Sequence, residues 1–433
     1  MAVTEAVAEA DARLPRGSFV TGIATVLLSN GIYLVGGFAA NVLTANLLSP
    51  TDFGYFAIAM AVMIVVQEVC GTGFDLAMVR LASPLATHER DAVIRVSLRI
   101  KMIANGSAAL ALFVLSGSIA TGLFGSDRLT APLRWASAGV VGTALFQHLL
   151  ARFQLSQRFK TYAALKSSNS LLKVALLVCL GFAAAASLQA VMAASVLVLF
   201  VSSVIALAAW DRNSNGAADP IAQAPAAHLS RQVLWFGRWM IVAHLLFAIY
   251  GRIDVLLLGW LQGEEHVGYY NVAWNLGFLM DMCTYSVITA LLPHASRMTS
   301  KDEFQAYRSR TLRVCAILGI LMLPSLVLVR PAINLLFPAY PAAVEIFRVL
   351  FWGCLATLLS HPLYLIVYAR DRVEMVALSN LILAAVATGA CWVLIPRFGA
   401  IGAAYGTVIA RVINAGLVVY LANVELKRPI AVS

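Results

Sequence analysis

Leu48-Ser49-Pro50-Thr51-Asp52-Phe53-Gly54-Tyr55 returns in the second half of the chain as Gly263-Glu264-Glu265-His266-Val267-Gly268-Tyr269, and Gly54 and Gly268 lie 214 residues apart in a chain of 433. A period that long, in a chain this apolar, reads as two copies of one membrane bundle, the architecture of many secondary transporters. Two further pairs keep the offset: Leu123-Phe124-Gly125 with Leu336-Phe337-Pro338, and Gln157-Arg158 with Asp371-Arg372. The motif also has a local explanation. Ser49 is placed to cap a helix, Pro50 suits its first position, and Asp52 brings negative charge to its first turn. Gly263 is expected to end one span, and Glu264 and Glu265 to supply acidic charge at the start of the next.

Apolar residues make up 61% of the chain and charged ones 12%, about half the globular share of charge. A spanning helix needs about 20 mainly apolar residues. Windows of that kind fall near 18–47, 52–80, 97–124, 131–153, 163–184, 188–210, 232–261, 266–293, 311–336, 343–368, 374–395 and 399–424. The expected fold is an all-α polytopic membrane protein of about twelve transmembrane helices. Its two six-helix halves would be related by a pseudo-two-fold along the membrane normal. Residues 1–17 form a cytoplasmic tail, 18–210 the first bundle, 211–230 a polar Pro/Ala-rich cytoplasmic linker, 231–424 the second bundle and 425–433 a second tail. The first apolar run is too long for a signal-peptide core, and Glu5, Glu9 and Asp11 precede it, so cleavage is not expected.

The net charge of +10 is read through its placement. Segments expected in the cytoplasm collect Arg90, Arg95, Arg99, Lys101, Arg152, Arg158, Lys160, Lys166, Arg308, Arg310 and Arg313 among others. The opposite ends hold only Arg128, Arg134, Arg330, Arg348 and Arg397. This positive-inside pattern puts both termini in the cytoplasm and explains the basic charge without nucleic acid. Trp210, Trp235, Trp239 and Trp260 lie near span ends, as in an interfacial aromatic belt. All six cysteines sit singly in apolar stretches, so neither a disulfide framework nor a metal site is expected. His148, His244, His294 and His361 are scattered without metal-ligand spacing.

The run Leu47-Leu48-Ser49-Pro50-Thr51-Asp52-Phe53-Gly54-Tyr55-Phe56-Ala57 resembles the first outer turn of polysaccharide flippases in the multidrug/oligosaccharidyl-lipid/polysaccharide (MOP) superfamily. Asp254-Val255-Leu256-Leu257-Leu258-Gly259, Val267-Gly268-Tyr269-Tyr270 and Gly399-Ala400-Ile401-Gly402-Ala403-Ala404 are similar to the same family. The resemblance runs from Ser18 to about Leu426, is moderately specific for the family, and is nearly silent about substrate. It implies a MATE-like fold in the bacterial inner membrane and a cargo of undecaprenyl-diphosphate-linked oligosaccharide, moved from inner to outer leaflet for O-antigen, capsule or exopolysaccharide synthesis. Partners would be that lipid-linked oligosaccharide, membrane lipids, a polysaccharide polymerase and glycosyltransferases. The chain is short for a fourteen-span lipid II flippase.

Ionisable groups inside spans are costly and are functional candidates by default. Arg252, Arg238, Arg411 and Lys173 are the candidates for the diphosphate, which a planar guanidinium can hold through two hydrogen bonds. Arg252 and Asp254, two residues apart, point to different helix faces and are not expected to pair. Glu68 and Asp281 occupy matching places in the second and eighth spans, and Asp75, seven residues beyond Glu68, is expected to share its face. With Asp254 they are the candidates for coupling transport to H⁺ or Na⁺; no other cofactor and no catalytic residue is expected. Gly31, Gly36 and Gly37, with Asn30 and Asn41, suit either bending or close packing of the first span. Multidrug/cation antiport would call for an acidic cavity, whereas the spans are basic. A membrane-embedded polymerase or glycosyltransferase would need larger external loops than the short ones expected here.

Overall fold

The computed structural model describes residues 16–83, 87–211, 250–295, 298, 301–369 and 373–427. These are helical almost throughout, with no strand among them. In chain order, α1 is Arg16–Leu47, α2 Pro50–Gln67, a π-helical turn Glu68–Thr72, α3 Gly73–Ala82, α4 Thr87–Phe124 and α5 Thr130–Leu155. Then follow α6 Phe159–Phe182, α7 Leu188–Asp211, α8 over 250–262, α9 Glu264–Ala295, α10 Lys301–Met322 and α11 Ser325–Leu336. Last come α12 Ala343–Ser360, α13 Tyr364–Ala369 and α14 Val373–Lys427. Apart from Asp211, the expected linker 211–230 lies outside the described residues.

Helix ends follow local chemistry. Ser49 Oγ accepts from the Asp52 amide at 3.1 Å, with Pro50 opening α2 and Asp52 in its first turn. Gly125 ends α4 at φ +64° and Gly263 ends α8 at φ +84°, a left-handed turn that glycine makes without a Cβ clash. Inside α14, Pro396 removes a backbone donor and Gly399 takes φ 57°, so the helix breaks there into two arms. Gln262 Nε2 donates to the Ile395 carbonyl at 3.2 Å beside that break.

Among the described residues, six helical segments are long and apolar enough to cross a membrane, or seven if α10 and α11, bent by 47°, form one broken span. Their outward faces carry large apolar side chains: Leu110 is 65% exposed, Leu321 69% and Leu335 80%. Lipid solvates such faces as well as a protein interior does, so packing here rests on close fit and hydrogen bonds.

The chain forms two compact units, each from separated segments: Met1–Leu43, Cys70–Ala111 and Ser137–Met240 in the first, and Thr44–Val69, Leu112–Ala136 and Ile241–Ser433 in the second. In the first unit, Met78, Val93, Ile94 and Leu155 join α3, α4 and α5, while Leu149, Phe153, Leu165 and Ala206 join α5, α6 and α7. In the second, Phe304, Tyr307, Ile366, Val367 and Val418 pack α10, α13 and the second arm of α14.

The repeated glycines meet inside the second unit. A β-carbon on Gly54 would overlap the backbone carbonyl of Glu264, and one on Gly268 that of Pro50, so α2 and α9 cross with their backbones in contact. Around this crossing, Tyr55 Oη donates to Glu264 Oε1 at 2.6 Å and lies 2.6 Å from Ser126 Oγ. Arg128 reaches Asp52 at 3.0 Å, and Asn46 Nδ2 donates to the Leu336 carbonyl at 2.7 Å. Tyr340, between α11 and α12, donates to the Ala45 carbonyl at 2.9 Å; burial raises its phenol above the usual range, so it stays a donor. The motif residues thus cap helices and also form one packed crossing.

Candidate functional site

In the second unit, Asp254 of α8 is buried and accepts from the Tyr270 hydroxyl of α9 at 2.5 Å and from the Val255 amide at 2.8 Å. Tyr270 Oη also lies 3.2 Å from Thr407 Oγ1 of α14. Tyr270 thus links the Asp254 carboxylate of α8 to Thr407 of α14. Arg252, half-buried on α8, makes no ion pair with Asp254 or any other described carboxylate.

Arg411 is committed elsewhere. Its two terminal nitrogens donate to the two oxygens of Asp281, each at 2.9 Å, in a buried bidentate pair between α14 and α9. Nη1 also lies 3.3 Å from Cys354 Sγ, and the guanidinium stands 5.5 Å from the centre of the Trp274 ring. Gly353 makes room, because a β-carbon there would come within 3.0 Å of Arg411 Cδ. Two residues expected to serve separate tasks, one for phosphate and one for an ion, here neutralise each other.

In the first unit, Asp75 of α3 lies among Lys101 of α4 and His148 of α5. Lys101 Nζ donates to Asp75 Oδ2 at 2.5 Å, and His148 Nδ1 is 3.4 Å from Oδ1. Lys101 and His148 are 0% and 1% exposed, so Lys101 is enclosed against Asp75 and not open to solvent. Ser97 donates to the Phe74 carbonyl at 3.1 Å and Asn105 to the Cys70 carbonyl at 2.8 Å. Ser97, Lys101 and Asn105, four residues apart, thus lay one face of α4 along the π turn and the start of α3.

That π turn corrects one expectation. Glu68 and Asp75 would share a face only on an unbroken α-helix. The turn at Glu68–Thr72 inserts a residue and rotates the downstream helix by about 100°. Glu68 itself is half-buried in the turn. Lys173 is half-buried on α6, two turns beyond Lys166, whose Nζ donates to Asn30 Oδ1 at 2.7 Å and stands 4.8 Å from the Tyr33 ring. Gly36 accommodates Ser170 in close packing and α1 stays helical through all three glycines, while nothing lies near a β-carbon on Gly31 or Gly37. Arg238 and His244 lie outside the described residues. Among the described residues no group of three or more metal-ligating side chains converges.

Sequence reasoning flagged Asp75, Asp254, Asp281 and Arg411 but missed Lys101, His148, Tyr270 and Thr407. The available signal was the four-residue spacing of Ser97, Lys101 and Asn105 in an apolar helix.

The profile of the family described as "Polysaccharide biosynthesis protein" matches residues 43–338. The chain belongs to that family. A Haloferax volcanii relative named "Probable low-salt glycan biosynthesis flippase Agl15" is 26% identical over 208 residues, covering 44% of this chain and 41% of that protein. The chain thus matches less than half the length of that relative. The fold is shared with solved MOP-superfamily structures. A lipid II flippase, MurJ, in an inward closed conformation aligns at TM-score 0.73 and 11% identity, covering 91% of this chain and 86% of that one. An inward-facing multidrug resistance MATE family transporter aligns at TM-score 0.70 and 13% identity, covering 93% and 98%. The matched proteins are named as flippases and transporters, not enzymes.

Proposed function

We propose that this protein is a flippase that carries undecaprenyl-diphosphate-linked oligosaccharide units across the bacterial inner membrane for polysaccharide biosynthesis. The observation that carries the reading is the family match over residues 43–338. The lipid-flippase fold supports it, and so does an arginine, Arg252 on α8, without a carboxylate ion-pair partner among the described residues. In this reading the two halves alternate access to a headgroup site. Arg252 meets the diphosphate, with Lys173 and Arg238 as further candidates, while the prenyl tail remains in lipid. Asp254 and Asp75, each at the centre of a buried cluster, are the stronger candidates for coupling to H⁺ or Na⁺. Glu68 is retained as a weaker one, and Asp281 is occupied by Arg411. Glycosyltransferases would supply the cargo and a polymerase would consume it.

The test is reconstitution in vesicles with a fluorescent prenyl-diphosphate sugar. The reading expects the probe to reach the opposite leaflet only when the protein is present. Efflux of cationic drugs with no movement of the lipid-linked sugar would replace the proposal with multidrug antiport.

A further inference from the structure

The second arm of α14 runs in the same direction as α9, and three contacts in order along the two helices show it. A β-carbon on Gly399 would lie 3.3 Å from the His266 ring, Thr407 meets Tyr270, and Arg411 meets Asp281. Thr284 follows Asp281 by three residues and Asn414 follows Arg411 by three, so each keeps to the face of its predecessor, one turn on. Thr284 and Asn414 therefore stand at one level beside the ion pair.

Three polar atoms at this place have no hydrogen-bond partner among the described residues: Arg411 Nε, Asn414 Nδ2 and Thr284 Oγ1. Their residues are 6%, 0% and 2% exposed. The two terminal nitrogens of Arg411 are taken by Asp281, which leaves the Nε edge of the guanidinium over. A polar group buried without a partner is destabilising, and three in one place call for a shared one.

Charge decides what fits. Asp281 already neutralises Arg411, so a bound anion would leave an uncompensated negative charge in a buried site, and a metal cation would face the guanidinium. Water is neutral and meets all three groups. Its two lone pairs take the Arg411 and Asn414 N–H groups, and one of its hydrogens goes to Thr284 Oγ1. Three hydrogen bonds are the ordinary number for an internal water. Turning the Asn414 amide over would present Oδ1 to the water's second hydrogen, so the same ligand still serves.

We propose that Arg411, Asn414 and Thr284 form a binding site for an ordered water between α9 and the second arm of α14. The site extends a chain of side chains. Asn414 Oδ1 accepts from Tyr364 Oη of α13 at 3.3 Å, and that hydroxyl lies 2.6 Å from Ser379 Oγ on the first arm of α14. The water thus joins the ion pair to a network that ties α13 to both arms of α14, on either side of the break at Gly399. It requires nothing of the cargo, and stands or falls apart from the flippase reading.

The experiment is water-edited solid-state NMR of the full chain, labelled with ¹⁵N-asparagine and held in lipid bilayers, where polarisation passes from water to nearby side-chain amides. The Asn414 signal is assigned as the one lost in Asn414→Leu or, should that variant not fold, in Asn414→Asp, which keeps the shape. We expect water to polarise the Asn414 amide in the unmodified protein, and the transfer to be lost in Thr284→Val. Thr284→Val should also lower the midpoint of thermal unfolding, whereas loss of a dry, unmet hydroxyl would raise it. No transfer from water to Asn414 overturns the site, and so does a Thr284→Val midpoint equal to or above that of the unmodified protein. A shift of the Asn414 signal when sodium chloride is replaced by sodium gluconate would assign the site to an anion and overturn it as well.

Discussion

Gly54 and Gly268 lie at one helix crossing in the second unit, each taking up the space where the other helix's backbone would meet a β-carbon. The repeat seen in the sequence is therefore also a contact: the two copies of the motif pack on each other. Alanine at either position forces the helices apart and should cost about 1–3 kcal/mol by overpacking. Because both residues serve one crossing, the double variant should lose less than the sum of the singles. Thermal unfolding of the purified protein measures this, and strict additivity would show that the two glycines do not share a contact.

The Arg411–Asp281 pair should behave as a buried neutral unit. Asp281→Asn or Arg411→Gln alone leaves a charge without its partner and should cost about 3–5 kcal/mol, whereas Asp281→Leu with Arg411→Leu should cost less than either. Unfolding assays on the three proteins decide it. Sugar flipping by the double variant that persists and still responds to the ion gradient would remove Asp281 from coupling.

Arg252→Ala should abolish movement of the lipid-linked sugar at normal protein levels, while Arg252→Lys, which keeps the charge but loses the planar fork, should retain part of it. Full flipping by the alanine variant would exclude a role in holding phosphate.

Asn105→Leu takes away the donor to the Cys70 carbonyl and should destabilise the first unit by about 1–3 kcal/mol. Hydrogen exchange should accelerate at residues 68–75 and leave α6 unchanged. Equal acceleration along the whole of α6 would mean that the residue supports the unit globally and not the π turn.

The helix ends were legible because their chemistry is local: a serine ahead of a proline at 49–50, and a glycine at 263 that takes positive φ. Of the twelve spans expected from hydropathy, six or seven segments of sufficient length and apolarity are found among the described residues, and Asp75, Asp254, Asp281 and Arg411 marked places where polar clusters form. The partners were not legible. Asp281 and Arg411 are 130 residues apart, and nothing in either stretch names the other. Lys101 was counted among the cytoplasmic cations of the positive-inside pattern, and His148 was set aside because it lacks metal spacing. The π turn has no sequence signature, since one extra residue in a helix changes no composition, yet it decides which face Asp75 presents.

The buried pair between α9 and α14 also bears on how the chain enters the bilayer during synthesis. An arginine at the middle of a membrane helix costs about 2.5–3.5 kcal/mol at insertion. Here its carboxylate partner has been translated 130 residues earlier. Asp281 must wait, itself uncompensated, until Arg411 emerges. The second unit is thus completed by a late-arriving counter-charge.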